Sequence, residues 1–424
     1  MNKTLFLLLS LALLWGCLDD PFENHSLQLE AEAGVTEAWL SLRVEGLKSG
    51  AVYTLQRNGA VIFNSRLQTA DTVIYDSLLT PATTYRYRFF ASEQGETSPA
   101  AETVLTTMDT TSHDFDWQVY TFGGQKGTSL FYDVAIIDEN DIWAVGEIHT
   151  AETDRWNEDS TKWIPPYNAA HWDGQKWTLL HVNGNGSPIH VIQAFATNDI
   201  WFQGVLHWDG LKYTLHNKNF PLMSNGDGWR MNKMWGISSD DFYVVGNKGM
   251  MAHYDGTGWT KIETGTEENI KDIMGVATES DADIYATAVT LFFENERKIL
   301  HLRDGQVIGS ETWPYETKNP ETVWLKSPLQ LFVAGNGVYV KKRNLGWRIM
   351  KESLGKYVFN IRGNDINDIF IVGDRKLLMH YNGRTWKNYT YYGYGSLDAV
   401  AVKGDLVVAV GLEYPPALIY MGKR

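Results

Sequence analysis

Along most of the chain, polar and apolar residues alternate in short runs broken by Gly, Asn, Asp and Ser, a pattern that predicts many short strands rather than helices. The start is different. Lys3 is followed by an apolar run from Leu5 to Leu14, interrupted only by Ser10. That run is shorter than the roughly 20 residues a membrane-spanning helix needs, and residues 1–16 read as an export signal. Residues 17–25 follow as a polar tether. Within 26–107, Ala38-Trp39-Leu40-Ser41-Leu42-Arg43-Val44 predicts a strand with Trp39 as a core anchor. The runs 52–57 and 61–63 flank Asn58-Gly59, a pair that tolerates positive φ and so predicts a hairpin. Residues 108–115 read as a linker.

From residue 116 the pattern repeats on a longer scale. An element of the form Asp-apolar-aromatic-x-x-Gly begins at Asp141, Asp199, Asp241 and Asp368, with weaker copies at Asp283, Gln330 and Asp405. A second element, His-aromatic-Asp/Asn-Gly-x-x-aromatic, follows at His171, His207, His253 and His380, with a degenerate copy at His301. Another strand precedes each first element. Each unit thus supplies four strands: a leader (a), an Asp-led strand (b), a His-led strand (c) and a Trp-led strand (d). Seven such units share residues 116–424, about 44 residues apiece, which is the size of a propeller blade. One four-stranded sheet covers its faces only against neighbours, so the ring must close. The seventh unit ends at Leu418-Ile-Tyr-Met-Gly-Lys-Arg424 without a Trp-led strand, and the orphan Trp117-Gln-Val-Tyr-Thr-Phe122 matches the missing piece. It is expected to close the last blade.

Four resemblances bear on this reading. Leu79-Thr-Pro81-Ala-Thr83-Thr-Tyr85 resembles the fibronectin type III pattern Leu-x-Pro-x-Thr-x-Tyr, which implies an immunoglobulin-like sandwich over 26–107 with Tyr85 as its tyrosine corner. Leu14-Trp15-Gly16-Cys17 resembles the bacterial lipobox, although Trp15 stands where a small residue is usual. That resemblance implies acylation of Cys17 and a lipid anchor in the cell envelope, at an outer membrane facing the periplasm or the exterior. The repeat units are similar to bacterial and photosynthetic propellers with a Gly-aromatic blade motif. The Asp-Gly turn also resembles the Asp-box of sialidase-like propellers, but Gly here directly follows Asp, so only the turn solution is shared. The expected fold is all-β: a fibronectin type III-like β-sandwich, then a seven-bladed β-propeller over 116–424 whose N-terminal strand closes the last blade.

Composition narrows the function classes. Cys17 is the only cysteine, which rules out an intrachain disulfide. Net charge is -14, and no basic cluster exceeds Lys341-Lys342-Arg343, so a nucleic-acid partner is not expected. There is no Gly-rich phosphate loop, no His-Glu-x-x-His and no Gly-x-Ser-x-Gly, and no cofactor is implied. The repeated residues read as structural because a catalytic site occurs once, whereas these recur around the ring. The repeated His is expected to hydrogen-bond within its blade, the Asp leading each b strand to be a turn acceptor, and the Trp after Gly to cover the inter-blade core.

Function should lie where the repeat breaks. The b–c connection of unit one, 147–168, is far longer than an ordinary hairpin and carries His149, Glu152, Asp154, Trp156, Asp159, Trp163 and Tyr167. The d–a connection 217–230 carries Phe220, Met223, Asp227 and Trp229, and the charged b–c loop 290–298 is a further candidate for the same rim. Of these, His149, Asp154, Trp156, Trp163, Tyr167, Phe220 and Trp229 are the candidate ligand-binding set. Rings beside acidic and amide groups suit a glycan, a peptide or an envelope protein; the alternative is that the rings only pin the loops down. Calcium at the carboxylates of the first loop is a further option. These features point to a membrane-anchored binding or scaffold protein. A polysaccharide-active hydrolase or lyase using top-face acids and an envelope assembly factor are the alternatives.

Overall fold

The structure, a computed structural model of the chain, describes residues 22–424 except 185, 224, 225, 227, 278–281, 291–295, 317, 344, 352–354, 391 and 392. Cys17, Asp227 and most of the 290–298 loop therefore lie outside the described residues. The chain divides into two compact units, one ending at Asp109 and one from Thr110 to Arg424.

In the first unit, strands Ser26–Ala33, Glu37–Glu45 and Asp71–Ser77 form one sheet. Ala60–Ser65, Val52–Arg57, Thr84–Glu93, Glu96–Thr97 and Ala101–Thr106 form the other. The alternation of the sequence becomes a core of Leu40, Leu42, Tyr53, Leu55, Tyr87 and Phe89 between the sheets. Trp39 is fully buried. Asn58 and Gly59 turn the hairpin at φ 49° and 84°. The Tyr85 hydroxyl accepts the Thr80 N–H at 2.9 Å, which is the tyrosine corner. Tyr85→Phe removes that acceptor and is expected to lower the stability of the sandwich by about 1 kcal/mol. Urea unfolding should show an earlier sandwich transition and an unmoved propeller transition.

The second unit is a ring of seven four-stranded antiparallel sheets. Blade 1 comprises Leu130–Asp138, Asp141–Ile148, Tyr167–Trp172 and Trp177–Leu180. Blades 2 to 6 occupy 192–215, 231–261, 270–312, 320–351 and 358–388. Blade 7 orders Ser396–Lys403, Leu406–Leu412, Ala417–Lys423 and then Asp116–Phe122. Its outer pair runs in antiparallel register from Ala417 opposite Phe122 to Lys423 opposite Asp116. The orphan strand closes the ring as expected. Each of the seven interfaces between successive blades holds its own apolar cluster, including the one between blades 7 and 1, where Phe122, Phe131 and Trp177 meet Val408 and Ile419. The d-strand aromatics Trp177, Tyr213, Trp259 and Trp386 belong to these clusters.

The repeated His and Asp bind each other. His171, His207, His253, His301 and His380 place Nε2 2.7–3.1 Å from Asp141, Asp199, Asp241, Asp283 and Asp368. Each imidazole also stacks on the b-strand aromatic ring of its blade, with centroids 4.4–4.6 Å apart. In these five blades the Asp at the head of the b strand thus accepts from the neighbouring strand and is not the turn acceptor the sequence suggested. That task falls to the Asp or Asn of the Asp/Asn-Gly pair: Asp173 accepts the backbone N–H of Gln175 and Lys176, both at 2.9 Å. Residues 110–115 lie against blade 6, where Phe115 meets Phe370 edge-on and the Nδ1 atoms of His113 and His380 stand 2.8 Å apart.

Candidate functional site

The b strands end in Gly because the leader strand crosses them too closely for a side chain. A Cβ added at Gly146 would stand 2.0 Å from the Leu130 carbonyl oxygen, and one at Gly373 would stand 1.9 Å from that of Tyr357. Opposite this contact the leader strand bulges by one residue in blades 1, 3, 4, 5, 6 and 7. A bulge leaves its extra residue out of the ladder and re-aims its side chain. The extra residues are Tyr132, Asn232, Lys271, Glu321, Phe359 and Asp398. His190 holds the equivalent place just before the leader strand of blade 2. All seven line one cavity of about 240 Å³ at the mouth of the central channel, together with Arg230, Lys233, Asp272 and Asn360.

Ion pairs occupy the channel beside this ring. Lys233 of blade 3 binds Asp133 of blade 1 at 2.6 Å. Arg362 of blade 6 forks onto Asp272 of blade 4, with bonds of 2.8 and 2.9 Å. Thr322 adds a 2.5 Å bond to the same carboxylate. Burial pushes the Asp272 carboxyl up, but the Arg362 charge and hydrogen bonds outweigh it and hold the group below its usual range. Such a pair requires both partners, since either one alone would be a buried unpaired charge.

The mouth itself is electrostatically uneven. Glu321 lies 3.4 Å from the Lys271 ammonium and accepts the Tyr357 hydroxyl at 3.0 Å, although burial still keeps its carboxyl raised. His190 stacks on Tyr132 with centroids 4.4 Å apart. Burial and then the Arg230 charge depress its imidazole to about 4, so it is neutral at pH 7. On blade 7, on the other flank of Tyr132, burial lifts the Asp398 carboxyl to about 6.

A larger groove of about 1040 Å³ opens over blades 6 and 7. Lys356, Phe359, Arg375, Tyr394, Ser396 and Tyr414 are among its lining residues. Phe359 lines both groove and mouth, so the two adjoin at that residue. Tyr394 is 88% and Tyr414 64% exposed. Lys356 donates to the Arg375 carbonyl at 3.1 Å.

The sequence-derived candidates fall into separate groups. In the blade 1 insertion, Arg155–Trp156 pairs with Trp163–Ile164 as a small hairpin. Its tryptophans meet edge-on at 5.8 Å, and both are about half exposed. His149 binds Asp154 through Nδ1 at 2.8 Å and faces Glu147 at 3.5 Å. Tyr167 stacks on His181 and reaches Glu152 at 3.4 Å. Phe220 stacks nearly parallel on Trp229 and meets Trp259 edge-on, inside the cluster between blades 2 and 3. Trp229 is buried and donates to the Pro221 carbonyl at 2.9 Å. Among the described residues, no group of three or more His, Cys, Asp or Glu side chains is arranged to hold a metal ion.

Sequence reasoning missed the ring and the groove. A positional signal existed for the ring: Tyr132, His190, Asn232, Glu321 and Phe359 each stand fourteen residues before the glycine that closes the next strand, at Gly146, Gly204, Gly246, Gly335 and Gly373.

Solved structures share the propeller. One, YCF48 bound to D1 peptide, superposes with a TM-score of 0.52 at 12% identity, covering 73% of this chain and 97% of that one. The WD40 propeller domain of Doa1 superposes at 0.51 and 12%, with the same coverage of both chains. At that identity the likeness establishes the fold alone. No family model matches the chain, and no curated protein matches its sequence.

Proposed function

We propose that this chain is a membrane-anchored binding protein of the cell envelope: Cys17 carries the lipid, the sandwich acts as a spacer, and the propeller holds a polypeptide segment across its top face. One observation carries the reading. At the bulge position the blades differ from one another in chemistry, while the Asp, His and Gly positions around it repeat. Repetition serves the fold; the varied ring of Tyr132, His190, Asn232, Lys271, Glu321, Phe359 and Asp398 serves a ligand. The adjoining groove carries Phe359 and the exposed rings of Tyr394 and Tyr414 beside Lys356 and Arg375, a mixture that suits a peptide better than a compact metabolite. The fold is also one in which YCF48 holds a D1 peptide, which supports this choice over a glycan. The exposed Trp156–Trp163 hairpin supplies a second contact at the edge of the same face.

An array of envelope-protein peptides, run beside a glycan array with the purified full chain, tests this. Peptide binding is expected, and Phe359→Ala with Arg375→Glu should weaken it at least tenfold. Trp156→Ala with Trp163→Ala should weaken it about threefold while leaving the melting temperature unchanged, because that hairpin contributes little to any core. Binding confined to glycans, or peptide binding indifferent to the groove variants, would defeat the proposal.

A further inference from the structure

We infer that the channel mouth receives the ammonium of a lysine side chain from the bound polypeptide, against Asp398 and between the rings of Tyr132 and Phe359. This deepens the peptide-binding reading and rests on it.

Four carboxylates stand in or beside the mouth, and three have cations of their own. Asp133 has Lys233, Asp272 has Arg362, and Glu321 has Lys271. Among the described residues, no Lys, Arg or His nitrogen lies within ion-pair distance of Asp398; burial raises its carboxyl, and the nearby Ser396 hydroxyl lowers it by less. Burial without a countercharge leaves this carboxylate poorly compensated whenever it is ionised.

Its neighbours supply the rest of an ammonium site. Blade 7 lies between blades 6 and 1, so the ring order places Asp398 between Phe359 and Tyr132, and all three line the same cavity. The Tyr132 phenol is raised by burial first, then by Glu147, and Asp398 is near enough to add a smaller push in the same direction. Aromatic faces attract cations through their quadrupole, most strongly where water is displaced. A carboxylate flanked by two rings is therefore complementary to a positive charge on an apolar stem.

One feature favours lysine over arginine, and another sets the side on which the cation sits. The Ser396 hydroxyl stands near the carboxylate and lowers it, whereas a guanidinium fork needs both oxygens clear, as Arg362 takes both of Asp272. The cations that line the mouth, Arg230, Lys233 and Lys271, belong to blades 3 and 4, across the ring from blade 7. Their repulsion confines an entering ammonium to the side where Asp398 stands.

Calorimetric titration of the purified full chain with Nα-acetyl-lysine methylamide and Nα-acetyl-glutamine methylamide tests the assignment. The lysine probe is expected to bind at least tenfold more tightly than the neutral one. Asp398→Asn should erase that preference, and Glu263→Gln, at an exposed carboxylate outside the mouth, should leave it within about twofold. Urea unfolding of Asp398→Asn checks that the variant is folded. Equal binding of the two probes, no measurable binding of the lysine probe, or an unchanged preference in folded Asp398→Asn would overturn the inference. Groove-dependent peptide binding without a lysine preference would also overturn it, while leaving the peptide-binding reading in place.

Discussion

Deleting residues 417–424 is expected to abolish the cooperative unfolding of the propeller while leaving the transition of the sandwich in place. The strand Ala417–Lys423 pairs on both edges, with Leu406–Leu412 on one side and Asp116–Phe122 on the other. Ala417, Leu418 and Ile419 are fully buried. Ile419 belongs to the cluster between blades 7 and 1, and Tyr420 packs into the one between blades 6 and 7. Removing this strand therefore strips apolar cover from two interfaces and releases Asp116–Phe122 from the sheet. The deletion also removes Arg424, which forks onto Asp368 with two bonds of 3.1 Å and lies over the Phe115 ring. Asp368 is buried, and losing a cation from a buried carboxylate alone costs about 3 kcal/mol or more. The combined loss exceeds a large part of the stability an ordinary domain has. Differential scanning calorimetry with a dye that reports exposed apolar surface would check this. A truncated chain whose propeller still melts sharply within a few degrees of the full chain would show that the ring does not depend on the closing strand.

That strand was legible before any coordinates because its absence and its presence both left marks. The seventh unit stops short of a Trp-led strand, and Trp117–Phe122 has no unit of its own. Tyr85 was legible for a related reason: the tyrosine corner is a local bond between residues five apart, so its pattern survives in sequence. The mouth was harder to read because its residues share a place and no chemistry. Tyr132, Lys271 and Asp398 have nothing in common as letters, and a bulge is a property of two strands in register rather than of either one. The groove over blades 6 and 7 draws on four connections, none of them long enough to attract notice. Loop length drew attention to 147–168 and 217–230, yet length does not distinguish a ring that faces solvent from one that anchors its loop. Trp156 does the first; Trp229 does the second.

Replacing Asp398 with Asn is expected to stabilise the protein at pH 7.5 by about 2 to 3 kcal/mol, an unusual sign for a substitution inside a cavity. Burial raises the carboxyl from 3.8 to about 6, so the native state binds this proton more tightly than the unfolded chain does. The stabilisation that goes with the bound proton is complete below pH 3.8 and is lost as pH rises through 6. At pH 7.5 the wild type carries the whole cost of an ionised carboxylate with no countercharge, and Asn carries none. At pH 5 much of the wild-type carboxyl is protonated, so the advantage of Asn should shrink by about half. His190 acts in the opposite direction: its imidazole is depressed to about 4, so its contribution falls as pH drops through 6.5. Comparing variant with wild type at each pH cancels that background. Urea unfolding at pH 7.5 and pH 5.0 measures both differences. An Asn variant that is less stable than wild type, or equally favoured at both pH values, would mean that the carboxylate already has its countercharge within the protein. A mouth without a poorly compensated carboxylate has no electrostatic reason to admit a cation, so the same two unfolding curves bear on stability and on recognition together.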